Sequence, residues 1–305
     1  MRRSESGSPA SRSIIAPVSR HRFRIVNVFA KSRLAGNALA VFEDGSSLSD
    51  EQMQALARQF DLSETTFILP STTTTAAARV RIFTPTFEMP FAGHPTLGTS
   101  HVVRSLRGTG DSLTLEMRAG IIPVSANGDA WTLRANPPKE RPTDATRAQL
   151  AAMLGIDEAD VRDDARWIDT GSEQLLVRLT NPEAVHRCMP DAKLLARHGS
   201  NSSRAGLVYA WAHEDAPPDE DGERIVSRFF FLKNGSLVED PGTGSACANL
   251  GGWFVTGRFE LPIRASIDQG EHTGRRCKLG LRVDADKNIF VTGDVIEIGS
   301  GEITL

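Results

Sequence analysis

Cysteine is nearly missing from this chain: Cys188, Cys247 and Cys277 are the three in 305 residues. So sparse and odd a set builds no disulfide framework and fits a reducing compartment, so a cytoplasmic protein is expected. Long hydrophobic runs are missing too. No segment approaches the roughly 20 apolar residues that span a bilayer, and no membrane association is expected. Neither sign of charge dominates. Lys and Arg number 35 against 38 Asp and Glu, a net charge of −3. No basic cluster follows the first twenty residues, so nucleic-acid binding has no electrostatic footprint. No P-loop is present. His94 and His101 stand two helical turns apart, about 10 Å, too far to share a metal ion. Ser245 is no nucleophile elbow, since G-x-S-x-G would need Gly at Thr243 and Cys247. Gly242-Thr243-Gly244 opens like a dinucleotide fingerprint, but Cys247 takes the place of its third glycine.

Hydrophobic residues make up 40% of the chain, ample for a core, and its length suggests roughly two domains. The Arg- and Ser-rich leader, residues 1–21, lacks the apolar stretch of a secretory signal and reads as a disordered tail or a mis-called start. The fold opens near Phe23 with the strand FRIVNVFA, and ALAVF follows a loop. LSDEQMQALARQF carries a capping box at Ser49 and Gln52, and Met53, Leu56 and Phe60 at helical spacing. ETTFILP and ARVRIFTP are strands, and PFAGHPTLGTSHVVRSL turns into a helix rich in small residues. Asn136-Pro137-Pro138 breaks the chain into lobes 22–136 and 137–305, with the last strand free to pack on the first lobe. The second lobe repeats the style through RWIDTG, QLLVRL, GLVYAWA and SRFFFL to another small-residue helix, GSACANLGGWFV.

One internal echo organises the functional reading. Glu88-Met89-Pro90-Phe91-Ala92-Gly93 and Glu239-Asp240-Pro241-Gly242-Thr243-Gly244 share the pattern E-x-P-x-x-G. Each follows a Phe-bearing strand and opens a small-residue helix. A helix N-terminus offers unpaired N–H groups and partial positive charge, a ready seat for a carboxylate or phosphate. Gly93 and Gly244 would let ligand and backbone approach closely. Either turn alone could be just a tight entry into a buried helix, whereas the pair favours an anion site. Glu64 stands where a polar loop meets the apolar strand TFILP. Apolar packing would raise its pKa into the range of a general acid/base, and a solvated strand end is the alternative. His94 and Asp240 flank the two turns. Each could orient a substrate or share a proton with Glu64, or serve simply as a helix-cap histidine and an Asp-Pro turn.

Four segments, in order and spacing, resemble the PhzF-like family named for the phenazine-biosynthesis isomerase: AGNALAVF, DLSETTFILP, RIFTPTFEMPFAGHPTLGTSHVV and EDPGTGSA with its helix. The resemblance runs from about Phe23 to the C-terminus. It implies an α+β, diaminopimelate-epimerase-like fold of two pseudo-symmetric lobes, each a rolled sheet around a central helix, with the active site in the cleft. It also implies a homodimer that needs no metal or organic cofactor. The family's proton-shuttling glutamate matches Glu64. Its other matching site positions are His94, Asp240, Ser245 and Asn37, with Ser63, Gly93 and Gly244 beside them as substrate contacts. The expected reaction is isomerisation of a small carboxylate. A silent small-molecule-binding protein of the same fold is the alternative, as is an epimerase using Cys247. The two-thiol mechanism of the related epimerases is not available by position, because Gly93 and Asp240-Pro241 occupy those places. Departures from the usual pattern include Ala38 for Pro, Gly242 for Ala, and Arg276-Cys277 for Pro-Ser.

Overall fold

The computed structural model describes residues 19–305. The leader reading lies outside them except at its end. Strand β1 (Arg20–Val28) already includes Arg20 and His21, so it begins before Phe23. The reason is pairing at the chain end: the Ser19 and Leu305 backbones exchange hydrogen bonds of 2.9 and 3.0 Å.

β1 is followed by β2 (Asn37–Phe42), α1 (Asp50–Phe60), β3 (Glu64–Leu69), β4 (Ala78–Phe83), β5 (Glu88–Met89), α2 (Gly93–Arg107), β6 (Ser112–Met117), β7 (Gly120–Asn127) and β8 (Ala130–Arg134). The second half runs β9 (Lys139–Pro142), α3 (Arg147–Leu154), β10 (Arg166–Asp169), β11 (Gln174–Arg178), α4 (Pro182–Arg187), α5 (Ala192–His198), β12 (Leu207–His213), β13 (Glu223–Lys233), β14 (Ser236–Asp240), α6 (Gly244–Thr256), β15 (Ile263–Gln269), β16 (Cys277–Val283) and β17 (Ile289–Thr304).

The pairings repeat between the halves. β2 lies parallel to β3, β3 antiparallel to β4, β4 folds back on β5 and runs parallel to β6, and β6 turns into β7. In the same relations, β11 pairs with β12, β12 with β13, β13 with β14 and with β15, and β15 with β16. Two segments pass between the lobes. β17 pairs with β16 through Ile289–Thr292 and with β1 through Val295–Thr304. β8 pairs with β7 and β17, and the chain continues into β9 beside β10. The first sheet therefore closes as the ring β1–β2–β3–β4–β6–β7–β8–β17, and closure leaves no edge inside it.

α2 fills the first roll and α6 the second, each packed against strands of its own lobe and against β17. A helix inside a rolled sheet touches neighbours all round, which explains its small residues. A Cβ on Gly98 would come within 2.7 Å of Leu39, one on Gly251 within 2.6 Å of Ile289, and one on Gly252 within 2.8 Å of Ile168. α1 instead lies outside. Its capping box forms as expected, and Met53 and Leu56 cover a separate cluster with Phe42, Phe67 and Phe83. α4 and α5 have no counterpart in the sequence reading, although Asn181 before Pro182 and Asp191 cap them. Among the described residues no helix is long and apolar enough to cross a membrane.

Helix propensity favours Ala over Gly by up to about 1 kcal/mol, while overpacking a tight core costs about 1–3 kcal/mol. Gly251→Ala is therefore expected to lower stability by about 1 kcal/mol in urea unfolding, although it improves the helix. A gain would show that α6 has more room than the packing gives it.

Candidate functional site

The sequence echo corresponds to two equivalent clamped turns. Glu88 lies opposite Phe83 on the neighbouring strand, and Glu239 lies opposite Phe230. Two residues before each Phe stands an arginine. Arg81 donates from Nε and Nη2 to Glu88 at 2.8 Å each, and Arg228 donates likewise to Glu239 at 3.0 and 2.7 Å. Each guanidinium also lies over its Phe ring, at 5.0 and 4.6 Å. The echoed glutamates therefore hold the strand-to-helix turns. Arg81 and Arg228 were missed in the sequence, although R-x-F occurs in both ARVRIF and SRFFFL and extends the echo upstream.

The two helices that leave these turns start against each other. A Cβ on Gly93 would lie 3.5 Å from Gly244 Cα, and one on Gly244 would lie 3.6 Å from Gly93 Cα. Neither helix start has a side-chain cap or an acidic residue in its first turn. The other four α-helices are capped by Ser49, Thr146, Asn181 and Asp191. The first-turn N–H groups at the lobe junction thus lack the usual acceptor, and two positive helix ends face one another.

Glu64 is the first residue of β3 and its side chain is 16% exposed. Its Oε2 lies 3.4 Å from Nε2 of His94, the second residue of α2. Both atoms are buried and neither has a well-aligned hydrogen-bond partner. Burial, with the Asp240 charge adding to it, pushes the Glu64 carboxyl up to about 8, and Arg204 acts in the opposite direction. Burial also pulls His94 down to about 3, against a hydrogen bond with the Ala38 backbone. Near neutral pH the contact is accordingly an uncharged acid beside an uncharged imidazole, not an ion pair, despite its short distance.

Asp240, at the end of β14, accepts hydrogen bonds from Asn37 Nδ2 at 3.1 Å and from the Thr243 hydroxyl. Burial raises it to about 6, and these two bonds and the Arg204 charge oppose the shift. Asn37 also donates to the Gly242 carbonyl at 3.0 Å, so one amide ties the first lobe to the second turn. Gln269 braces the same turn through the Asp240 carbonyl at 2.8 Å and the Thr243 hydroxyl at 3.0 Å. Ser245 accepts from Gln174 at 2.9 Å, and Gln174 in turn accepts from Asn249 inside α6. Ser63 is exposed beside Glu64. Glu64 and His94 thus meet directly, Asp240 and Asn37 form one network, and Gly93 and Gly244 form the junction. Gln174 and Asn249 had no motif to reveal them.

Cys247 is completely buried, and burial pushes its thiol far above the usual range. Two cavities, of about 640 and 360 Å³, are lined by none of Glu64, His94, Asp240, Gly93 and Gly244. Among the described residues no group of three or more His, Cys, Asp and Glu side chains is arranged to hold a metal ion.

The sequence profile of phenazine biosynthesis-like proteins matches residues 26–299. The chain is 38% identical to an uncharacterised isomerase of Pasteurella multocida, covering 93% of this chain and 94% of that one. It is 32% identical to the trans-2,3-dihydro-3-hydroxyanthranilate isomerase of Pseudomonas chlororaphis, covering 93% of this chain and all of that one. The crystal structure of a phenazine biosynthesis protein of the PhzF family from Bacillus anthracis superposes with a TM-score of 0.81 at 23% identity, covering 94% of this chain and all of that one. The fold is therefore the diaminopimelate-epimerase-like one implied by the sequence.

Gly242 and Cys277, which the sequence reading set apart as unusual, lie together. A Cβ on Gly242 would lie 2.6 Å from Cys277 Sγ and 3.2 Å from the Phe29 ring. The thiol fills the space an alanine methyl would take. Gly242→Ala is expected to cost about 1–3 kcal/mol by overpacking under the Asp240 turn. Combined with Cys277→Ala, the loss should shrink, giving a coupling of about 1 kcal/mol or more in a double-mutant cycle of denaturant unfolding. Strict additivity would show that the two sites do not share this space.

Proposed function

The chain belongs to the phenazine biosynthesis-like family and is an isomerase, and from that premise we propose that it shifts a proton between two carbons of a small carboxylate substrate through Glu64. The observation that carries this reading is the unpartnered, buried Glu64–His94 contact beside two uncapped helix starts. An acid/base group and an anion cradle face the same place. Glu64, once ionised, takes a proton from a carbon whose C–H is acidified by a neighbouring carbonyl or unsaturated group. The electron pair spreads into that π system, and the Glu64 carboxyl returns the proton to another carbon. No redox change is involved. His94, neutral, lies 3.4 Å from Glu64 without an aligned hydrogen bond and leaves its charge state to burial and to Asp240. Asp240 and Ser245 hold polar substituents, Asn37 and Ser63 line the approach, and the N–H groups at Gly93 and Gly244 receive the carboxylate. A homodimer in the cytoplasm belongs to the same proposal. A thiol epimerase has less support, because a buried Cys247 with a raised pKa supplies little thiolate.

The test is deuterium incorporation from heavy water into trans-2,3-dihydro-3-hydroxyanthranilate and related cyclic hydroxy-amino acids. Glu64→Gln should slow it at least about 100-fold, within the usual contribution of general acid/base catalysis. Incorporation at the parent rate would sink the assignment. Because Glu64 must lose its proton before it can accept one, kcat/KM should rise with pH through a midpoint near 8. Asp240's negative charge disfavours Glu64 ionisation, so Asp240→Asn should move that midpoint to lower pH, whatever it does to the maximal rate. A midpoint that moves upward would contradict the electrostatic role of Asp240.

A further inference from the structure

Phe29 is the first residue after β1, and its backbone stands at φ +61°. A bulky aromatic residue rarely adopts this left-handed conformation. Four other non-glycine residues share a positive φ, Asp61, Asn234, Arg258 and Lys287, and all four are exposed. Phe29 is completely buried. Its conformation is tied down on both sides. The Phe29 carbonyl accepts from the Lys278 N–H of β16 at 2.9 Å, and the Ala30 N–H donates to the Asp294 carbonyl of β17 at 3.2 Å. Backbone strain that the surrounding structure holds in place is a pointer to function.

The ring occupies a slot walled by three glycines, two from the second lobe's turn and one from β17. A Cβ on Gly242 would come within 3.2 Å of Cδ2, one on Gly244 within 3.2 Å of Cζ, and one on Gly293 within 2.6 Å of Cε1. Gly242 and Gly244 flank Thr243, whose hydroxyl donates to Asp240, and Gly244 is the first residue of α6. A ring from the first lobe therefore lies directly against the turn that carries Asp240. The other end of the same loop grips that turn as well: Asn37 donates to Asp240 Oδ1 at 3.1 Å and to the Gly242 carbonyl at 3.0 Å. The first helix start has no such wedge beneath it, since the atoms nearest a Cβ on Gly93 are backbone atoms of Gly244 and Ser245. The second turn is thus held from across the lobe boundary, by packing at Phe29 and by hydrogen bonds at Asn37.

We propose that Phe29 is a positioning residue for the isomerase reaction: its ring, wedged among Gly242, Gly244 and Gly293, sets how closely Asp240 and the start of α6 stand to Glu64 and His94. This rests on the isomerase reading and deepens it, by giving the strained residue a part in the chemistry through the Asp240 turn.

The test reads the titration of Glu64 rather than turnover. His94 lies against Glu64, and Asp240 and Arg204 act on it through their charges. With isotope-labelled glutamate carboxyls in the full chain, the Glu64 NMR signal is assigned by its loss in Glu64→Gln and followed through pH. In the parent its midpoint should lie near 8. The Asp240 charge raises that midpoint, so a turn released from the ring should lower it. Phe29→Leu is expected to shift it down by about half a unit or more, part of what a close charge supplies. In an Asp240→Asn background the same substitution should leave the midpoint in place, because the charge it acts through is gone. Phe42→Leu, in the separate aromatic cluster under α1, controls for lost packing alone: it should lower stability and leave the midpoint unchanged. Phe29→Met takes the place of Phe29→Leu if that variant folds poorly. A failed proton shuttle would show in the deuterium incorporation of Glu64→Gln, whereas failure of this inference shows in the titration. No shift in Phe29→Leu, an equal shift in the Asp240→Asn background, or an equal shift in Phe42→Leu would each overturn the assignment.

Discussion

Two helix N-termini meet end to end between the lobes, and the rest of the architecture serves that contact. Each end carries roughly half a positive charge from its unpaired N–H groups. Pointing two such ends at each other is unfavourable unless negative charge or a bound anion lies at the junction. At this contact Gly93 and Gly244 face each other, so that a Cβ on either would touch the other's backbone. The Arg81–Glu88 and Arg228–Glu239 clamps fix the turns that aim the helices, and the small residues of α2 and α6 let the sheets roll closely around them. β17 and the β8–β9 segment lace the two rolls together and keep the ends in register.

That junction sets the acid/base chemistry. Glu64 and Asp240 are both carboxyls, yet their surroundings divide them. Glu64 has a neutral imidazole for company and no donor to stabilise its charge, so burial keeps its proton on to about pH 8. Asp240 is equally enclosed but accepts from Asn37 and Thr243, and it remains mainly ionised at neutral pH. Two like groups thereby acquire different protonation states, the pattern expected where one moves a proton and the other steers charge.

Much of this was legible in the sequence because the determinants are local. The capping box at Ser49 and Gln52, the strand-turn-helix echo, and the glycines of each turn depend on neighbours a few residues away. Glu64, His94 and Asp240 could be named because they stand in or beside those local features. The clamping arginines were missed, although an R-x-F repeat stands upstream of both turns. Gln174 and Asn249 were invisible, since each acts through a partner more than seventy residues away. The departures at Gly242 and Cys277 looked unrelated along the chain, and only packing brings them into one volume.

By itself the sequence determined most of the elements, the family and a short list of chemical groups, because periodicity, caps and turn residues are read at short range. Tertiary structure decided what those groups can do. It turned a possible solvated strand end at Glu64 into a buried acid against His94, and it enclosed Cys247. The physical reason is that pKa and ligand affinity depend on desolvation and on charges from distant segments, and neither exists until the chain has folded.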